Sequence, residues 1–152
     1  MAITQAIANA FKKQLLEGDQ NFSSSSGDKF KLALYTSSAT LNSTTTAYST
    51  NPGGGGNTEV TNTGTYAAGG DPLAGQNTSI ASGVAIVDFA DLSFTGVTLT
   101  ARGALIYNTS SAVTNAAVAV LDFGADKTAT SGTFTVQFPA FTTAAAILRI
   151  SG

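Results

Sequence analysis

Cysteine, histidine and tryptophan are all missing from this 152-residue sequence. Charge is scarce too: seven Lys and Arg stand against nine Asp and Glu, 11% of the chain and a net charge of -2. A typical soluble domain carries about 25% charged residues. Each absence excludes something. Without Cys or His there is no disulfide framework, no thiolate or imidazole metal site and no Ser-His or Cys-His nucleophilic pair. The lack of Cys leaves the redox compartment open. The few basic residues are scattered and form no stripe for a phosphate backbone, so no nucleic-acid partner is expected. No run reaches about 18 apolar residues, so no membrane-spanning helix is expected. Met1-Ala2-Ile3-Thr4 lacks the basic-then-apolar pattern of a signal peptide. Asn21-Phe22-Ser23 and three similar triplets match the glycosylation pattern, as chance allows in a chain rich in Asn, Ser and Thr.

What is present fits one domain, residues 1–152. Ile3, Ile7, Phe11 and Leu15 recur every fourth residue, with Ala6, Ala10 and Leu16 widening the stripe. This spacing predicts an amphipathic helix over residues 2–18, ended by Gly18, with Lys12 and Lys13 near its C-terminal end. A helix of that length is marginal alone, so its apolar face must dock on its own domain or on a neighbouring subunit.

The middle of the chain is mostly low-complexity. After Ser23-Ser24-Ser25-Ser26-Gly27, a strand is expected over 29–35, with Phe30, Leu32 and Leu34 inward and Lys29 and Lys31 outward. Residues 36–82 are polar and broken by Asn51-Pro52-Gly53-Gly54-Gly55-Gly56 and Gly69-Gly70-Asp71-Pro72. Large apolar residues are few here, and ordering a backbone costs about 1–2 kcal/mol per residue. The expectation is a loop or arm, mobile or held by other chains.

Residues 83–150 read as short strands: 84–89, 92–95, 97–101, 104–107, 116–123, 132–138 and 144–150. Gly96 marks a turn or bulge, and Arg102-Gly103 is an interruption. The predicted fold is mainly β, an antiparallel β-sandwich or barrel-like domain with one N-terminal amphipathic helix and a long arm.

Motifs that resemble chemistry are weak. Asp122-Phe123-Gly124 spells the kinase magnesium motif, but no His-Arg-Asp loop accompanies it. The Gly53–Gly56 run lacks the Gly-Lys-Ser/Thr that completes a phosphate loop. Asp88, Asp91, Asp122 and Asp126 could pair for acid-base work or hold calcium, yet their spacing matches no calcium loop and strand-end Asp residues ordinarily bind turn amides. No catalytic, cofactor-binding or metal-binding residue is assigned, and no enzyme activity is expected. Arg102 is read as either an interface anchor or an edge-strand charge, and Arg149 poses the same choice.

Several stretches carry a resemblance: Met1 to Lys12 followed by Gln14-Leu15-Leu16-Glu17-Gly18, Phe30 to Leu41, Thr100 to Asn108, and Ala117 to Gly124. In this order they resemble small structural proteins of tailed bacteriophages, some of them capsid decoration or cement proteins. The resemblance covers most of the chain outside 42–82 and brings no catalytic residues. It implies a virion protein on the capsid surface, present in the host cytoplasm before assembly. It also implies the major capsid protein as partner and a homotrimer by analogy. The contact residues expected are Ile3, Ile7, Phe11 and Leu15, the arm 36–82, and Arg102. Two other readings are a tail, neck or baseplate component, and a receptor- or glycan-binding β-domain using Tyr48 and Tyr66.

Overall fold

A computed structural model describes residues 2–152. The elements follow in the order β1 (Ala6–Ile7), α1 (Asn9–Glu17), β2 (Phe30–Tyr35), β3 (Asp71–Pro72), β4 (Asn77–Ala81), β5 (Val84–Asp88), β6 (Leu92–Asn108), β7 (Ala116–Val136) and β8 (Leu148–Ser151). The fold is mainly β, as the strand pattern predicts. One open sheet has the order β1-β7-β6-β2-β3, and a second has the order β4-β5-β8. Both are antiparallel. Neither closes into a barrel. The second sheet contributes Leu148, with Val87 packed alongside, to the core built on β2, β6 and β7.

The helix is shorter than its apolar stripe predicts. Ile3 bridges Leu41, and Ala6 and Ile7 pair with Val120 and Ala119 of β7. A spacing of four is also an even spacing, so Ile3 and Ile7 equally share one face of an extended chain. The strand solution wins because Thr4 and Ala8 donate their amides to Leu41 and Val118. The helix then starts at Asn9, with Lys12 and Lys13 in its middle rather than in its last turn. Gly18 does end it, at φ 78, and the amide of Asp19 reaches back to the Gln14 carbonyl, a helix-terminating pattern that glycine favours.

The strands expected over 92–95, 97–101 and 104–107 are one strand, β6, with register shifts at Phe94/Val97 and Ala101/Gly103. Gly96 and Arg102 therefore sit at bulges within a continuous strand, not at breaks. Gly103 is required for packing: a Cβ there would run into the Leu121 carbonyl and lie 2.9 Å from Ile3 Cγ2.

Residues 36–82 are not a detached arm. Glu59 bridges Tyr35, and β3 pairs with Lys31 and Leu32, so the segment lines the free edge of β2 in pieces. Ala39, Leu41, Val60 and Tyr66 are buried in the core of the same chain. Gly70, at φ 68, packs so closely on β2 that a Cβ would overlap the Leu32 carbonyl. Ala33 and Tyr35, on the Lys31 face of β2, are buried as well. The sequence pattern missed this because polar pairing, rather than apolar mass, holds the segment.

Candidate interaction surface

Two groupings stand out: a buried polar knot and an open apolar groove. The knot centres on Glu59. Its carboxylate accepts from Tyr48 Oη at 2.8 Å, Tyr66 Oη at 2.8 Å and the Gly69 amide at 2.6 Å. Tyr66 Oη also accepts from the Leu34 amide at 2.9 Å, and Tyr107 Oη donates to the Gly69 carbonyl at 2.7 Å. Tyr48 stacks on Tyr107 with ring centroids 4.6 Å apart. Burial, reinforced by the Glu59 carboxylate, pushes Tyr107 up to about 12 and raises Tyr35, Tyr48 and Tyr66 further above the ordinary tyrosine value. These phenols are neutral hydrogen-bond donors. They are not poised bases, and the knot serves to fasten residues 48–70 to β2 and β6.

The groove lies between α1 and the β4-β5-β8 sheet and has a cavity volume of about 500 Å³. Phe11, Leu15 and Leu16 come from the helix and Ile86, Leu148 and Ile150 from the sheet. Lys12 and Arg149 also line it, and no carboxylate does. Phe11 is held in place by an edge-on contact with Phe22, centroids 5.9 Å apart. The surroundings are unusually apolar: Leu16 is 92% exposed, Ile80 73% and Ile150 60%. Ile80, Ala85 and Ile150 are in register across the three strands and so share one face of the sheet.

The expected contact residues separate. Ile3 and Phe11 are buried inside their own chain, and Phe11 also lines the groove. Ile7 and Leu15 are half-buried and line the groove. Arg102 lies one residue beyond the stretch of β6 that pairs with β2, and its guanidinium bonds Asp122 on β7 at 3.1 Å. Leu16 belonged to the expected stripe, but Ile80 carried no signal beyond being one large apolar residue in a polar run. The glycan reading loses its two aromatics, since Tyr66 is buried and Tyr48 is bound to Glu59 and Tyr107.

Two of the carboxylates considered for metal or acid-base work are bound to backbone amides. Asp122, inside β7, accepts from the Gly124 amide two residues on, and Asp91 from the Phe138 amide far along the chain, both at 2.8 Å. Among the described residues no three metal-ligating side chains gather, and no helix is long and apolar enough to cross a membrane. No family model, curated protein or solved structure matches the chain.

Proposed function

We propose that this chain is a non-enzymatic structural protein of a tailed-bacteriophage virion, of the cement or decoration type. In this reading it binds the major capsid protein on the outside of the shell, as a homo-oligomer with the trimer as the analogous form. It acts by adding interface area, which stabilises the assembled state by mass action. The carrying observation is the exposed apolar surface of Leu16, Ile80 and Ile150 around the groove. Contiguous apolar surface of this kind marks protein interaction sites more often than isolated apolar residues do. The resemblance of the helix and strand segments to phage virion proteins supports the same reading.

The test is quantitative mass spectrometry of purified virions against the major shell protein. Hundreds of copies per particle are expected. A handful would move the chain to the tail, neck or baseplate, and absence from finished particles would overturn the reading.

A further inference from the structure

We infer that residues 58–73 form a strap that keeps β2 from pairing with β2 of a second copy of this chain, and that the Tyr66 hydroxyl, held on Glu59, is its lock.

The composition of β2 creates the need. Phe30–Tyr35 carries one charge, Lys31, and no glycine or proline. β6 pairs with one edge of it along all six residues. A strand of this kind with its other edge open is a template for pairing with another chain. On the opposite side of the sheet, β7 runs well past the two residues of β1. There the bulge at residues 123–126 and the charges of Asp122, Asp126 and Lys127 interrupt the edge, which discourages pairing. β2 has no such interruption of its own.

The strap occupies that edge and ends the sheet. The Phe30 carbonyl accepts the Leu73 amide, the Leu34 carbonyl accepts the Val60 amide, and the Thr36 amide donates to the Thr58 carbonyl, all at 2.9 Å. Between them Leu32 pairs with Asp71. Alternate residues from Phe30 to Thr36 are therefore taken on the outer side. The strap does not offer a new edge in exchange. Successive amides of an extended chain point to opposite sides. The Leu73 amide points at β2, so the Pro72 nitrogen points outward, and it has no hydrogen to give a further strand.

The lock lies where backbone pairing fails. Past Val60 the strap turns to β6, and the Thr65 amide donates to the Thr95 carbonyl at 3.0 Å. The Leu34 amide then meets a side chain in place of a strand carbonyl: it donates to Tyr66 Oη at 2.9 Å, and Tyr66 Oη donates to Glu59 Oε1 at 2.8 Å. Tyr66 is the one buried residue between Val60 and Gly69. A segment held by so few buried groups opens at lower cost than the strands beneath it. The Tyr66 ring also meets Phe94 edge-on, centroids 5.0 Å apart. Tyr66→Phe keeps that ring contact and removes the hydroxyl.

The experiment uses the full chain and a fluorescein-labelled peptide of residues 29–36. Fluorescence anisotropy is expected to show the peptide binding Tyr66→Phe and Glu59→Gln at least about tenfold more tightly than wild type. A peptide carrying Leu32→Pro is expected to lose that gain, because it cannot pair as a strand. Val118→Ala is the control for lost stability: it opens a fully buried site on β7, which β6 separates from β2. It is expected to bind the peptide no better than wild type. Sedimentation velocity of unlabelled Tyr66→Phe is expected to show association that grows with concentration beyond that of wild type. Equal peptide binding by wild type and both lock variants would overturn the inference. So would a gain in Val118→Ala as large as theirs, because general instability rather than the strap would then expose β2.

Discussion

Arg102 Nε donates to Asp122 Oδ1 at 3.1 Å across the widest irregularity of the β6–β7 pair. Between the pairs Ala101–Lys127 and Gly103–Asp122, Arg102 alone faces residues 123–126. The same Asp122 oxygen accepts the amide of Gly124 at 2.8 Å, and Gly124 takes a φ of 77 that favours glycine. One carboxylate thus ties the bulge to the opposite strand. The arginine that interrupts an apolar sequence is the fastening of that bulge.

Removing the fastening has a pH signature. The Gly124 amide, and after it the Arg102 guanidinium, hold the Asp122 carboxyl below its usual range. A carboxylate with a lowered folded pKa stabilises the fold above its unfolded value near 3.9, and that contribution disappears as pH falls through the folded value. Asp122→Asn is expected to cost about 1 kcal/mol at pH 7, in keeping with a partly exposed pair. It should also flatten the fall in melting temperature between about pH 5 and pH 3. Calorimetry across that range checks both, and an unchanged slope would show that Asp122 is not held this way.

Glu59 is the corresponding fastening for residues 48–70. It is buried, and three donors converge on it. Substituting one partner of such a group leaves the others unsatisfied, at about 1–3 kcal/mol. Glu59→Gln should therefore lower unfolding free energy in urea by about that amount, whereas Glu17→Gln on the exposed helix surface should stay within about 0.5 kcal/mol. Equal effects at the two positions would remove the knot from the account.

All four tyrosines of the chain are raised by burial, with Glu59 adding to the effect at each. The sign is opposite to that of Asp122. A group whose folded pKa is raised contributes fully below its unfolded value, near 10 for tyrosine, and loses that contribution as pH rises through the folded value. Stability should fall progressively above about pH 10, and tyrosinate absorbance should rise together with loss of β-sheet circular dichroism. Tyrosinate forming near pH 10 with circular dichroism intact would mean that these phenols are open to solvent.

The mainly β architecture was legible because β-branched and aromatic residues recur between turn residues after 83. Phe30, Leu32 and Leu34 were placed correctly inside. Three things were not legible. A spacing of four fits both a helix and a strand, so Ile3 and Ile7 were assigned to α1 when β7 and Leu41 claim them. Glycine and arginine in a strand read as breaks, whereas here Gly96 sits in a bulge of β6 and Arg102 opposite a bulge of β7. The segment 36–82 has too little apolar mass to announce itself. Its order comes from Glu59, from Tyr hydroxyls and from backbone pairing with β2, which connect residues far apart in sequence. The groove was half legible: its helical wall lay in the expected stripe, but its other wall needed the register of three strands.

The ordering of 36–82 within a single chain has a direct measurement. The Val60 amide donates to the Leu34 carbonyl at 2.9 Å, and the Leu41 amide to the Ala2 carbonyl at 3.1 Å. Both residues are buried, while Gly55 and Gly56 are exposed. Hydrogen exchange on dilute protein should therefore show Val60 and Leu41 protected and Gly55 and Gly56 exchanging fast. Buried, paired amides open only with larger units of the fold, whereas exposed loop amides exchange through local fluctuations. Glu59→Gln should erase much of the protection at Val60 and leave that of Ile106, in the centre of β6, nearly unchanged. If Val60 and Leu41 exchanged as fast as Gly55, the segment would be an arm that orders only against another chain, and the burial of Tyr66 would have to come from that chain.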